Sequence, residues 1–219
     1  MDKQANNVMY LSGEIVSEPK LSYTGHDDCF YDFELSIKRL SGKTDTVPIT
    51  CPGKLMASGT IQKGVRIRVA GEFRSYNKLE GGRSRLILQG FVRRLAMEES
   101  ADDMNNVALN GYICKPPAYR TTPLDREITD VLIAVHRPNG KSDYIPCVVW
   151  GRNARFVRDL CVGDSVALVG RIQSREYEKK TSNGSPTTRT AYEVSVSKIV
   201  AHGAEEAIDV ERIFTRGDE

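Results

Sequence analysis

Residues 144–152, Tyr-Ile-Pro-Cys-Val-Val-Trp-Gly-Arg, bring two aromatic rings and a guanidinium into one short run. Read as a strand, the run places residues 144, 146, 148 and 150 on one face and 145, 147 and 149 on the other. Ile145, Cys147 and Val149 then suit a core, while Tyr144 and Trp150 look outward together, roughly 20 Å apart at ~3.3 Å per residue. Flat rings spaced along an outward face, with cations beside them, can stack flat ligands and neutralise anions. The same residues also fit plainer duties: tyrosine is common on pleated surfaces, and an inward Trp150 fills a core. Trp150 is the only tryptophan in the chain.

The sequence offers little for catalysis. It has no nucleophile–base motif, no carboxylates paired in a shared motif and no P-loop, so no enzyme is expected. Its five cysteines form no C-x-x-C pair and read as small buried hydrophobes or strand residues. With three scattered histidines they imply neither a metal site nor a cofactor. Of the 219 residues, 40% are apolar and 27% charged, the balance of a globular chain. No run approaches the ~18 apolar residues of a membrane span. The polar start MDKQANN lacks the apolar core of a signal peptide, and a cytoplasmic protein is expected.

The net charge of +2 hides a pattern. Residues 1–95 carry +5, 96–105 carry −4, 106–202 carry +5 and 203–219 carry −4. Two basic bodies are each followed by an acidic segment. This suits a polyanion-binding face, and equally an ordinary solvated surface.

The elements that must position these residues come in duplicate. NNVMYLSGEIVSEP at 6–19 parallels NNVALNGYICKPP at 105–117, and KGVRIRVAGEFRSY at 63–76 parallels VGDSVALVGRIQSREY at 162–177, a spacing near 98. The economical organisation is two domains, 1–95 and 106–202, with an acidic linker at 96–105 and an acidic tail at 203–219. Within each copy the periodicity is two. Strands are expected near 8–16, 29–39, 45–51, 65–77 and 84–95, and near 107–115, 128–136, 143–150, 164–178 and 190–200. RNARFVRDL at 152–160 reads as a helix with Phe156, Val157 and Leu160 on one face. A weaker helix is expected around 54–59. Gly71 and Gly170 sit mid-strand, where glycine marks a sharp barrel bend. Five strands with a short helix between the third and fourth describe an OB-fold, so the chain is expected to be all-β with two tandem OB-folds.

The second copy resembles bacterial single-stranded DNA-binding proteins through NNVALNGYICKPP, DVLIAVHR, SDYIPCVVWGRNARFVRDL and GDSVALVGRIQSREY. The first copy resembles them more weakly, through VMYLSGEIVSEPKLSY, FYDFELSI and GEFRSYNK. The resemblance implies sequence-independent binding of single-stranded DNA, by base stacking in a basic groove, during replication, recombination or repair. It leaves RNA open beside DNA. It assigns the stacking positions to Tyr144, Trp150 and Tyr177, and a fourth family aromatic falls near Asn139 and is missing. Arg152, Arg175, Arg120, Lys179 and Lys180 become phosphate contacts. In the first copy Arg74, Tyr76, Lys78 and Arg85 are the candidates, with Tyr23 and Arg83 beside them. Thr46 and Pro52 stand where the second copy has Tyr144 and Trp150, so this copy loses most stacking platforms. It then binds by other residues or serves assembly. The family's four-barrel assembly implies a homodimer here, joined at exposed first-strand edges. The tail has Phe214 but no terminal aromatic, so recruitment of replication or repair enzymes through a tail hook, as in typical members, is not expected, and a short helix over AEEAIDVERIF is an equal reading. The competing function is a primosome-like adaptor with little DNA binding of its own.

Overall fold

The computed structural model describes residues 6–25, 28–57, 61–98, 100, 102–180 and 186–201. The first half runs β1 (Asn7–Ile15), β2 (Lys20–Thr24), β3 (Cys29–Lys38), β4 (Thr44–Pro52), α1 (Gly53–Met56), β5 (Arg66–Glu80) and β6 (Arg83–Met97). The second repeats the order as β7 (Met104–Ile113), β8 (Ala118–Thr121), β9 (Glu127–His136), β10 (Ser142–Trp150), α2 (Gly151–Arg158), β11 (Ser165–Lys180) and β12 (Pro186–Ala201). In each half the first strand pairs with both the fifth and the third, closing a barrel. The sole parallel pairs among the described strands are β4 with β6 and β10 with β12. This is the expected OB-fold, twice over.

Each half nevertheless has six strand segments rather than five. The expected first strands are found as β1 and β7, and the additional segments, β2 and β8, follow Pro19 in one half and Pro116-Pro117 in the other. Proline cannot donate to a ladder. The chain bends there and its continuation, β2 or β8, adds to the outer edge of β3 or β9.

The alternation read from sequence builds the cores. Phe33, Leu35 and Ile37 are buried, as are Ile67 and Val69, and in the second half Ile145, Cys147 and Val149. Gly71 and Gly170 stand where β5 and β11 shift register against their hairpin partners. A Cβ would lie 2.0 Å from the carbonyl oxygen of Phe91 at Gly71, and 2.3 Å from that of Ser195 at Gly170. Close backbone approach therefore demands glycine at both.

Two expectations are corrected. On α2 the buried face is Ala154 and Val157, while Phe156 is 43% exposed. The helix is short and is held by Thr129, whose hydroxyl donates to the Ala154 carbonyl at 2.8 Å, so the sheet fixes which side turns inward. Among the cysteines, Cys51 and Cys147 are core residues, and burial pushes the Cys51 thiol up to about 12. Cys161, by contrast, is exposed in the turn after α2.

The halves meet about a local two-fold. β1 and β7 pair antiparallel with Met9 opposite Val107, Leu11 opposite Asn105 and Asn7 opposite Leu109. Asn7 brackets Phe73, donating to its carbonyl at 2.7 Å and accepting its N–H at 2.9 Å. Asn105 does the same to Ile172, at 2.7 and 2.8 Å. Equivalent residues here lie 98 apart, so Met9 faces its own counterpart. The first-strand edges, expected to be exposed and to join two chains, are thus already paired within one. Two copies in tandem place both edges at high local concentration, which favours this closure.

Side-chain contacts repeat the symmetry. Buried Asp143 accepts the Arg137 guanidinium and the Ser75 N–H of the other half. Ser75 Oγ in turn accepts the Tyr144 N–H at 2.7 Å. Buried Asp45 accepts Arg39 and the Ser174 N–H at 3.0 Å, and Ser174 Oγ accepts the Thr46 N–H at 3.2 Å. The acidic segment that follows β6 is docked as well: Glu98 pairs with Arg68 and Asp103 with Arg66, both at 2.6 Å.

Replacing Asp143 by Ala should cost roughly 3 kcal/mol, because Arg137 and the Ser75 N–H lose their acceptor away from solvent. Urea unfolding measures this, and a loss below about 0.5 kcal/mol would mean that the contact does not hold the halves.

Candidate nucleic-acid interface

The outer face of the second barrel is assembled by register. Val148 of β10 lies beside Ser195 of β12, and Ser195 beside Arg171 of β11. Alternation along β11 then puts Arg171, Gln173, Arg175 and Tyr177 on the same side. Tyr144 is 43% exposed, Trp150 38% and Tyr177 37%, so all three expected rings look outward. They flank one face and do not touch one another.

Local chemistry fixes Trp150. It ends β10 in an extended conformation, and Gly151 follows with φ +57°. This left-handed turn, open to glycine, lets the strand pass straight into α2. The indole Nε1 donates to Ser195 Oγ at 3.2 Å, so the ring lies across β12 rather than swinging free.

The expected cations divide into two groups. Arg152 and Arg175 are exposed and make no ion pair among the described residues. Arg120 does not: it donates to Asp130 at 2.7 Å, and that bond raises its pKa. Lys78 and Arg85 both reach Glu80, at 3.4 and 3.6 Å. Arg74 is bound by Glu72 at 2.7 Å and lies 4.0 Å over the Phe91 ring. These four are committed to carboxylates on the same or the neighbouring strand. The side chains of Lys179, Lys180 and Arg83, and the whole tail at 203–219, lie outside the described residues.

Two features escaped the sequence reading. Arg171 is partly buried beside Trp150, sharing Ser195 Oγ with the indole at 3.4 Å and reaching Gln173 at 3.2 Å. Its Nε is buried without a hydrogen-bond partner, and burial, with Arg39 nearby, lowers its pKa. A cation held this way is attractive to an anion beside the indole. Its signal was available, since Arg171 shares the parity of Arg175 and Tyr177. The second feature is a ring series in the first half: Tyr23 stacks on Phe30 at 4.5 Å, and Phe30 packs against Phe91 at 5.9 Å. That half has lost the rings of β4 but not its aromatic surface.

Because Trp150 is more than a third exposed, replacing it by Ala should cost no more than about 1 kcal/mol of stability, against the ~3–5 of a core ring. Thermal or urea unfolding of the variant measures this; a core-sized loss would turn the ring inward.

The comparisons agree with this architecture. Residues 104–201 match the model of the single-strand binding protein family. The single-stranded DNA-binding protein of Deinococcus radiodurans is 24% identical over 235 residues, covering 90% of this chain and 76% of that protein. Single-stranded DNA-binding protein 3 of Listeria innocua is 40% identical over 82 residues, which take in 34% of this chain and 51% of that relative's length. The crystal structure of the wild-type single-stranded DNA-binding protein from Thermus aquaticus superposes with a TM-score of 0.73 at 18% identity, over 92% of this chain and 95% of that one. With its two barrels in tandem, the chain is similar to the single-strand binding protein family, whose model its second barrel matches over residues 104–201.

Proposed function

We infer that the chain binds single-stranded DNA without regard to base order, as a binding protein of replication, recombination or repair working in the cytoplasm. The observation that carries this is the outward set Tyr144, Trp150 and Tyr177, with Arg152, Arg171 and Arg175 around it, in the half that matches the family. Every base has a flat face, so rings on a sheet accept any sequence, and guanidiniums along the path meet the phosphates. A duplex hides its base faces, which makes stacking the discriminating interaction. The reading involves no chemical conversion and no cofactor. We place the domain division between β6, which ends at Met97, and β7, which begins at Met104, within the acidic linker at 96–105.

The reading includes a homodimer with four barrels. Since β1 and β7 already pair with each other, two chains must meet elsewhere. The seam sheet has a second apolar cluster, Val8, Ala108, Ala167, Val169 and Val200, separate from the barrel cores. Ala108, Ala167 and Val169 are buried within one chain, so this cluster is not itself the contact. Light scattering should then give twice the 24.4 kDa of one chain, and a mass of one chain at working concentration would exclude the dimer.

Trp150 reports binding directly, being the one tryptophan. Titration with an oligo-thymidine strand should quench its emission, and raising salt should weaken binding with a log–log slope near −0.7 per phosphate contact. Affinity that ignores salt, or a duplex bound as tightly as the single strand, would overturn the groove reading. Unchanged emission at saturating strand would favour the adaptor.

A further inference from the structure

The two halves differ together at three linked positions. Hairpin pairing puts Arg171 opposite Ser195 in the second half and Glu72 opposite Phe91 in the first. The parallel pairs agree, with Val148 opposite Ser195 and Thr50 opposite Phe91. Trp150 ends β10 where Pro52 ends β4. The second half therefore has Trp150, Ser195 and Arg171 where the first has Pro52, Phe91 and Glu72. In the first half Glu72 binds Arg74 and Arg93, whose guanidiniums lie 4.0 and 4.9 Å over the Phe91 ring. In the second half an indole and a guanidinium meet one hydroxyl. Each set is consistent within itself, since a ring on β12 at that place would fill the space that the indole crosses.

Ser195 is the hub of the second set. Its side chain is buried, and its Oγ accepts Trp150 Nε1 at 3.2 Å and Arg171 Nη1 at 3.4 Å. A hydroxyl oxygen has two lone pairs, and both are taken here. An indole has a single donor, so Ser195 is the one polar anchor that Trp150 can have. Arg171 is held from its other side as well: its Nη2 donates to Gln173 Oε1 at 3.2 Å, and Gln173 Nε2 donates to Glu193 Oε1 at 2.6 Å. The carboxylate takes the amide nitrogen and so turns the amide oxygen toward the guanidinium. Long side chains that must be immobilised on binding weaken it, and these two are immobilised beforehand.

We propose that Ser195 is a positioning residue for strand binding: its hydroxyl holds the Trp150 ring and the Arg171 guanidinium side by side, so that one nucleotide meets a stacking face and a cation already in place. Gln173 and Glu193 set the cation from the far side. Ser195 acts through these neighbours and not by contact with the strand. The role rests on the single-strand binding reading above.

The test compares Ser195→Ala, which removes the acceptor and keeps the room, with Ser195→Thr, which keeps a hydroxyl on a residue suited to strands. Two quantities are measured on each: acrylamide quenching of Trp150 emission in the free protein, and affinity for an end-labelled oligo-thymidine strand by fluorescence anisotropy. Ser195→Ala should open the indole to acrylamide and weaken strand binding about 3- to 10-fold. Ser195→Thr should match the unaltered chain in both. Unchanged quenching in Ser195→Ala, or altered quenching with full affinity, would overturn the positioning role. So would an equal loss of affinity in Ser195→Thr, because the hydroxyl would then not be the group that matters. No binding of the strand by the unaltered chain would overturn the underlying reading instead. Circular dichroism checks that the variants fold. Should Ser195→Ala not fold, Ser195→Cys takes its place, since a thiol accepts only weakly, and the same outcomes decide.

Discussion

Two buried carboxylates, Asp45 and Asp143, hold the molecule in its working shape. Each accepts an arginine from its own hairpin and a backbone N–H from the opposite barrel, so neither half satisfies its own charge network alone. The cost of leaving such a group unpaired away from water exceeds the gain from pairing it on a surface. That asymmetry makes the contact a constraint on geometry more than a store of stability. With Met9 fixed opposite Val107, it sets the barrels about one axis and brings the outer faces of both to a common border.

Function follows from where that border runs. Ser75 is at once a donor to Asp143 through its N–H and an acceptor for the Tyr144 N–H. On the opposite side of the axis, Ser174 holds Thr46 in the same manner, but threonine offers no ring. The backbone is symmetric about the axis while the chemistry along it is not. A strand meeting the molecule finds aromatic faces on one flank and fewer on the other.

The sequence is most informative where a rule is local. Alternation placed ten strands within a few residues, and the outward turn of Tyr144 and Trp150 follows from parity alone. Pro19 and Pro116-Pro117 precede the short strands β2 and β8, which a strand count by hydrophobicity passes over. Arg171 was equally legible from its parity with Tyr177. Other features need the register between strands. That Asp130 takes up Arg120, and Glu80 takes up Arg85, depends on which residues come near each other across a hairpin. The seam is less legible still: Ser75 and Ser174 are ordinary strand serines until the opposite barrel supplies Asp143 and Asp45.

The connector between β6 and β7 has a meaning beyond tethering. In an assembly of identical single-barrel chains, one gene change appears on both sides of every symmetry axis, so a substitution that helps one side is also imposed on the other. Joining the copies end to end removes that obligation. Position 46 could become threonine while position 144 stayed tyrosine, and position 52 proline while position 150 stayed tryptophan. Covalent duplication here acts as a licence for inequality: it keeps the paired geometry and lets the two flanks specialise separately.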